Sequence, residues 1–546
     1  MTRPSPRRTT LWGAVFVAAA TTPALAEISL PPLFSNGFVL QQNAEVKVWG
    51  QAAARQTVTV SLRGHKAGAV ADAHGKWQVT LPSGAPGGPF PMQLESLNSK
   101  LEREVYVGEV WVCSGQSNMW WPVATRPGSP ETKGTENPFV RLFNVSAALC
   151  EQPAESVGGE WKACGPESLV NFSAVAYHFG REIQATQRVP VGLIAASYGG
   201  SGVGQWTGQE ALETDPELQA IREREAQENA ERAQKLERLK PEIERYQAAL
   251  AKAKLEGLPL PVAPRGFGET APGGSRLYNG MIRPLQPYGI RGVLWYQGEA
   301  NTNRPDEYRA RFSALIRGWR KDWAQGAFPF LFVQLAPYQK MVSTPQESQW
   351  AALREAQLQT LESVENTGMA VITDWGHETD IHVKQKQPVG ERLALLARKR
   401  VYGEPVVASG PLFKKLEVRD GKATVHFSEV GTGLRVRRMV LESVITDTRN
   451  GTGGALHAAK DEDQSAAPPA LAGFTIAGAD RIFHNATAEL EGGTVVVSSA
   501  LVPAPVAVRY GWADYPTGNL FNKEGLPACP FRSDDWTREL QNHAPR

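Results

Sequence analysis

Apolar positions along the chain follow two different rhythms. Between residues 27 and about 105 they alternate with polar ones in short runs, Val46-Lys-Val-Trp49, Val58-Thr-Val-Ser-Leu62 and Trp77-Gln-Val-Thr-Leu81, separated by Gly, Pro, Asn and Asp. Alternation of this kind marks strands with one buried face and predicts a small antiparallel β domain. From about 106 to 208, and again from about 276 to 402, near-continuous apolar runs alternate with helical stretches: Val191-Gly-Leu-Ile-Ala-Ala196, Gly292-Val-Leu-Trp-Tyr296, Phe330-Leu-Phe-Val-Gln-Leu335 and Met369-Ala-Val-Ile-Thr373. A strand that is apolar on both faces suits a parallel sheet covered by helices on both sides. Residues 209 to 275 interrupt this α/β pattern. Up to about residue 256 they are rich in Glu, Arg, Ala and Lys, and Leu236, Leu239, Ile243, Tyr246 and Leu250 recur at 3,4,3,4 spacing, a helix seam. Pro241 predicts a kink there or the start of a second helix. A Pro/Gly-rich loop from Gly257 to Gly274 leads back to the core, and residues 403 to 546 return to short β runs such as Ala423-Thr-Val-His-Phe427 and Thr494-Val-Val-Val-Ser498.

The first 26 residues stand outside this scheme. Arg3, Arg7 and Arg8 precede an apolar stretch from Leu11 to Ala20, and Ala24-Leu25-Ala26 supplies small residues for cleavage before Glu27. That is the pattern of a cleaved secretory signal peptide and predicts a periplasmic or extracellular location. The remaining 520 of the 546 residues suffice for two to four domains. Setting aside those three arginines leaves 55 basic against 56 acidic residues, interspersed, so neither nucleic acid nor an anionic membrane is an expected partner. No other run of 18 apolar residues suggests a membrane span. Four cysteines in a chain this long do not make a disulfide scaffold. Cys150 and Cys164 are close enough in sequence to pair in an oxidising compartment, whereas Cys113 reads as a small core residue.

Candidate chemistry collects at strand ends, where α/β sheets place their sites. The run Val105 to Val112 breaks into Cys113-Ser-Gly-Gln-Ser-Asn-Met119, a loop that presents Ser117. A serine hydroxyl becomes a useful nucleophile when a base removes its proton and N–H groups hold the oxyanion. Three further clusters follow: Ser197-Tyr-Gly-Gly-Ser-Gly202 with Trp206 close behind, Gln297-Gly-Glu-Ala-Asn301, and Asp374-Trp-Gly-His-Glu-Thr-Asp-Ile-His382 just before a helix opening near Lys386. A histidine with a nearby aspartate supplies the base and its orienter in a nucleophile–base–acid triad. Taken singly, a serine at a strand end is more often a helix cap, a glycine pair more often a turn and a lone histidine more often structural, while the Gln297-Gly-Glu-Ala-Asn301 cluster reads evenly.

Taken together, Gly115-Gln-Ser-Asn-Met119, Asn279-Gly-Met-Ile282, Trp295-Tyr-Gln-Gly-Glu299 and Ile381-His382 resemble the sialate O-acetylesterase family within the SGNH/GDSL hydrolases. The likeness runs to the closing Val508-Arg-Tyr-Gly-Trp512 and Gly525-Leu-Pro-Ala-Cys-Pro-Phe-Arg532. It implies a flavodoxin-like three-layer α/β core, flanked here by N-terminal and C-terminal β-rich regions and carrying a helical insertion, and hydrolysis of acetyl esters on sugars. Ser117 then matches the nucleophile, His382 the base, and Gly199 or Gly200 the glycine of the oxyanion site. The superfamily pattern has Asp three residues before His, where this chain has Thr379; Asp380 is the first choice for the acid and Asp374 its competitor. The Asn of the third block falls on Ala300, leaving Gln297 or Asn301 for the donor role beside the Ser117 amide.

The expected substrate is an acetylated sugar or polysaccharide, either sialate esters or plant polymers such as xylan and xyloglucan. Trp120, Trp121 and Trp206 are candidate platforms for pyranose rings, with core packing as the alternative. Two-step acyl transfer to water calls for no metal or organic cofactor. Two other readings stay open: a secreted carbohydrate-binding protein on an inactive hydrolase core, and a broader short-chain esterase. The sequence leaves the oligomeric state open.

Overall fold

The structure is a computed structural model and describes residues 27–126, 128–259, 261, 274–445, 452–458 and 469–536, so the signal-peptide reading of residues 1–26 lies outside the described residues. Its axis is one 16-residue strand, β1 (Lys100–Gly115), whose exposure changes from alternating to fully buried at Val105. The first half belongs to the N-terminal β region, pairing antiparallel with Gly87–Glu95 and parallel with Phe38–Gln41. The second half is the central strand of the α/β core. The expected boundary near 105 therefore falls inside a strand that both regions share.

In the core, β2 (Asn137–Asn144), β3 (Trp161–Cys164), β4 (Val191–Ser197), β5 (Gly292–Tyr296), β6 (Phe330–Val333) and β7 (Thr367–Ala370) join β1 in the order β7-β6-β5-β1-β4-β2-β3. All pairs are parallel except the edge pair β2–β3. Without that edge, β4-β1-β5-β6-β7 has the flavodoxin-like order, second-first-third-fourth-fifth along the chain. The chain leaves β1 toward β4 and later returns to its other flank at β5, so the carboxyl end of β1 is the topological switch point, where a crevice opens.

Alternate side chains of these strands enter two separate cores. Val110, Val112, Ile194, Val293, Trp295, Phe330 and Phe332 share one with Phe312, Trp319 and Leu353, from the helices Pro305–Trp323 and Gln349–Ser363. Trp111, Cys113, Leu193, Leu294, Tyr296 and Leu331 share the other with Phe179, Ile183, Leu393 and Leu396, from Ala174–Gln187 and Gln387–Arg400. The core is thus three-layered α/β, as the apolar strand pattern implies.

The insertion is built on a single 38-residue helix, Gln219–Glu256, which runs through Pro241 and stops at Gly257 in the left-handed conformation. Its base is held on the Pro305–Trp323 helix by ion pairs of Asp215 with Arg317, Glu217 with Arg309, Glu225 with Arg311 and Glu228 with Arg304, at 2.6–2.9 Å. Leu239, Ile243, Tyr246 and Leu250 of the expected seam are half-buried; the side chain of Leu236 lies outside the described residues.

The C-terminal region has its own apolar core, with Val425, Val495, Val497, Phe474, Ile476 and Val508 contributed by two four-stranded antiparallel sheets. The same region contains the antiparallel strand pair Met439–Ile445 with Thr452–Ala458. It reaches the loop that carries His382: Gly454 donates to Glu378 Oε2 at 2.8 Å, and the Glu378 amide donates to the Gly454 carbonyl at 3.0 Å.

The pairing that the sequence leaves open between Cys150 and Cys164 is not formed; all four cysteines are free. Cys164 directs its thiol to the Thr135 carbonyl at 3.2 Å, while the Cys150 backbone is tied to Arg276 and Asn279. Among the described residues, no helix is long and apolar enough to cross a membrane.

Candidate active site

The sequence presents Ser117 through the turn that ends β1. Gly115 has φ of +138°, and a Cβ there would stand 2.1 Å from the Tyr296 carbonyl oxygen, so only glycine lets the chain pass this close to β5. Gln116 donates to the same carbonyl at 3.0 Å, and the short helix Ser117–Trp120 follows at once. Ser117 is its first residue, with the hydroxyl at the switch point.

Ser117 Oγ lies 3.0 Å from His382 Nε2. His382 sits on the loop between β7 and the helix Gln387–Arg400. Its Nδ1 is 3.3 Å from Asp380 Oδ1, and the same oxygen accepts the His382 backbone N–H at 2.9 Å. One carboxylate oxygen thus fixes both the loop and the ring. Thr379 and Asp380 donate their backbone N–H groups to His377 Nδ1, each at 3.1 Å, which holds the turn from the other side. Trp121 stacks on the His382 ring at 5.0 Å and 27°. Burial against this surface lowers the imidazole pKa from its ordinary value of 6.5; Asp380 opposes the shift and Lys386 adds to it. A hydroxyl, an imidazole and a carboxylate in this order can activate the hydroxyl for attack on an acyl carbon.

Asp374 does not reach the imidazole cluster. Both its oxygens are taken by Arg392, Nη1 and Nη2 each at 2.6 Å, and the residue is buried. It is the anchor of the last core helix to the end of β7, since Arg392 Nη1 also donates to the Val371 carbonyl at 2.7 Å.

The candidate oxyanion groups divide in the same way. Gly199 runs beside the candidate nucleophile, where an added Cβ would be 3.7 Å from Ser117 Cβ, and both Gly199 and Gly200 are exposed. Gln297 is a correction. It is fully buried, its amide nitrogen faces Asn301 Oδ1 at 2.7 Å and Gln116 Oε1 and the Ser201 carbonyl at 3.2 Å, and its oxygen accepts from Tyr308. With no hydrogen left to offer, it orients its neighbours and cannot hold an oxyanion. Asn301 Oδ1 accepts from Gln297 and from the Val203 amide at 3.0 Å, so Nδ2 is the donating end of that side chain.

Trp206 is the second correction. It is fully buried, packed edge-on to Trp295, with Nε1 bonded to Ser201 Oγ at 2.8 Å, so it is core and offers no face to a sugar. Trp120 is 46% exposed and Trp121 is partly so, leaving these two at the rim.

Sequence reasoning missed the residues beneath the site. Asn118, buried next to Ser117, donates to Glu299 Oε1 at 2.5 Å and to the Ile381 carbonyl at 3.1 Å, and accepts from Lys386 Nζ. A signal for Lys386 was present: it caps the N-terminus of the helix Gln387–Arg400, where the macrodipole disfavours a cation.

Comparison with known proteins identifies the family. Residues 263–398 match the family model for carbohydrate esterases described as sialic acid-specific acetylesterases. The chain is 32% identical over 456 residues to the sialate O-acetylesterase of Rattus norvegicus, covering 76% of this chain and 81% of that one. It is 31% identical over 436 residues to the human sialate O-acetylesterase, covering 72% and 75% respectively. The crystal structure of a carbohydrate acetylesterase from Xanthomonas citri superposes with a TM-score of 0.74 at 36% identity, over 93% of this chain and 100% of that one. The chain therefore belongs to the sialate O-acetylesterase family of carboxylic ester hydrolases.

Proposed function

We propose that this protein is a secreted serine esterase that removes O-acetyl groups from acetylated carbohydrates, with Ser117 as nucleophile, His382 as base and Asp380 as the acid that orients it. The observation that carries the reading is the continuous chain from Ser117 Oγ through His382 to Asp380 Oδ1, with steps of 3.0 and 3.3 Å. His382 Nε2 takes the hydroxyl proton as Oγ attacks the acetyl carbon. The oxyanion faces the amides of Ser117 and Gly199 and the Asn301 Nδ2. His382 then returns the proton to the sugar oxygen, which departs as an alcohol and leaves acetyl-Ser117. Water, deprotonated by the same imidazole, repeats the sequence and releases acetate.

The rim supports a sugar-borne ester. Trp120, three residues after the proposed nucleophile, is 46% exposed and offers an aromatic surface to a sugar. The names of the relatives point to acetylated sugars, from sialates to other carbohydrates, and an aromatic rim suits a pyranose of either kind. Secretion rests on the charge and hydropathy pattern of residues 1–26. A carbohydrate-binding role on an inactive core fits less well, because the triad geometry is intact and Trp206 is not available as a platform.

Acetate release from a panel of acetylated xylan, xyloglucan, pectin and O-acetyl sialosides tests the reading. At least one member is expected to be turned over faster than p-nitrophenyl acetate at equal concentration. Turnover of the aryl ester alone, with longer acyl chains equally accepted, would return the broader esterase. The pH profile offers a separate check. The base works as neutral imidazole, so kcat/KM falls as the ring protonates. Because burial and Lys386 lower its pKa, the acid limb is expected to have its midpoint below 6.5.

A further inference from the structure

Beneath the candidate triad lies a buried polar chain that the acyl-transfer steps do not use. Lys386 is 2% exposed and donates through Nζ to Asn118 Oδ1; Asn118 Nδ2 donates to Glu299 Oε1 and to the Ile381 carbonyl. Three loops meet in this chain: the one after β1, with Ser117 next to Asn118; the one after β5, with Glu299; and the one after β7, with His382 next to Ile381. The second oxygen of Glu299 is buried and has no hydrogen-bond partner among the described residues. Lys386 Nζ also stands 5.3 Å from the Tyr296 ring centroid and 6.0 Å from that of Trp121, the ring that stacks on His382.

A buried ammonium at a helix N-terminus is doubly unfavourable, once for lost hydration and once for the macrodipole. Packing alone would favour an apolar residue here. Burial brings the Lys386 amine down to about 7, opposed by Glu299 and Asp380, and pushes the Glu299 carboxyl up. On the acid side of neutrality the amine is therefore charged.

We propose that Lys386, with Asn118 and Glu299, is a positioning device for this reaction: it locks the Ser117 and His382 loops in register and sets a buried cation behind the imidazole. The proposal rests on the triad reading. The charged groups that face His382 are Asp380 and Lys384 from its own loop, with Lys384 3.8 Å from Asp380 Oδ2, Lys386 from the start of the following helix, and Glu299 by way of Asn118. Of these, Lys386 is the buried cation joined to both catalytic loops. Asp380 favours the imidazolium and Lys386 disfavours it, so removing the lysine charge raises the imidazole pKa.

Lys386→Met, which keeps the length but neither charge nor donor, and Lys386→Gln, which lacks the charge but keeps a donor for Asn118, test the idea. Both are expected to move the acid limb of kcat/KM up by about 0.5–1 pH unit. The Met variant should lose kcat by about 10-fold or more with KM within about two-fold, and the Gln variant should recover part of that loss. The rate at which a fluorophosphonate labels Ser117, followed by mass spectrometry across pH, should shift with the same midpoint. An acid limb at the wild-type pH in a folded variant would overturn the proposal, even if the melting temperature fell. The triad reading fails separately, if the reagent labels a residue other than Ser117 in the wild-type protein.

Discussion

Ser117→Ala and His382→Ala should each reduce turnover of an aryl acetate by about 10⁴–10⁶-fold, and the double variant should be little worse than either single one. In the proposed mechanism the hydroxyl and the imidazole, 3.0 Å apart, act as one unit, so removing either leaves only the oxyanion site and substrate binding to assist water. The fold should survive both changes. Ser117 is partly exposed, and His382 has 30% of its side chain exposed on a surface loop. Steady-state kinetics with the melting temperature measured alongside gives the result. If Ser117→Ala kept a tenth of wild-type turnover, another group would be the nucleophile.

How much of this could be read from the chain depended on the range of the interactions. The loop after β1 was legible because a buried strand that breaks into Gly115-Gln-Ser117 is a local signal, and the Asp380-Ile-His382 spacing is local too. A two-residue offset lets one carboxylate oxygen bond both the backbone and the ring of the histidine, and the structure has that arrangement. Trp206 was misread because Ser197-Tyr-Gly-Gly-Ser-Gly202 looks like rim. After Gly202 a 3-10 turn, Val203–Trp206, carries the indole back under the sheet, and no local pattern marks that reversal. Gln297 and Asn301 are a similar case. Four residues apart, they are equivalent as donors on paper, yet contacts from Gln116 and Ser201 occupy the Gln297 amide nitrogen while Val203 takes the Asn301 oxygen. The continuous helix through Pro241 is a reminder that proline lacks one hydrogen bond and need not end a long exposed helix. The contacts from Lys386 through Asn118 to Glu299 join residues up to 268 positions apart in sequence. Only the oddity of a lysine at a helix N-terminus hinted at them.

The two aspartates of the His382 loop should separate cleanly into one that serves catalysis and one that holds the fold. Asp380→Ala removes the oxygen that bonds the His382 backbone and ring together and should lower kcat by about 10³–10⁴-fold. Asp380→Asn should cost less, about 10–10²-fold, because Oδ1 makes both contacts and an amide can keep that oxygen in place; what it loses is the charge that stabilises the imidazolium. Asp374 predicts the opposite balance. Its carboxylate accepts two 2.6 Å bonds from Arg392 while 3% exposed, so Asp374→Asn leaves a largely buried guanidinium without its counter-charge. Breaking such a pair from one side destabilises by about 3–5 kcal/mol, which denaturant unfolding would read directly. Activity of whatever remains folded should fall less than in Asp380→Asn, because Asp374 touches neither the imidazole nor the Ser117 loop. Should Asp374→Asn keep its stability and lose more kcat than Asp380→Asn, the acid of the triad would be Asp374 in solution. Small equal losses for both would mean that the loop itself, through His377 and the backbone, is enough to orient His382.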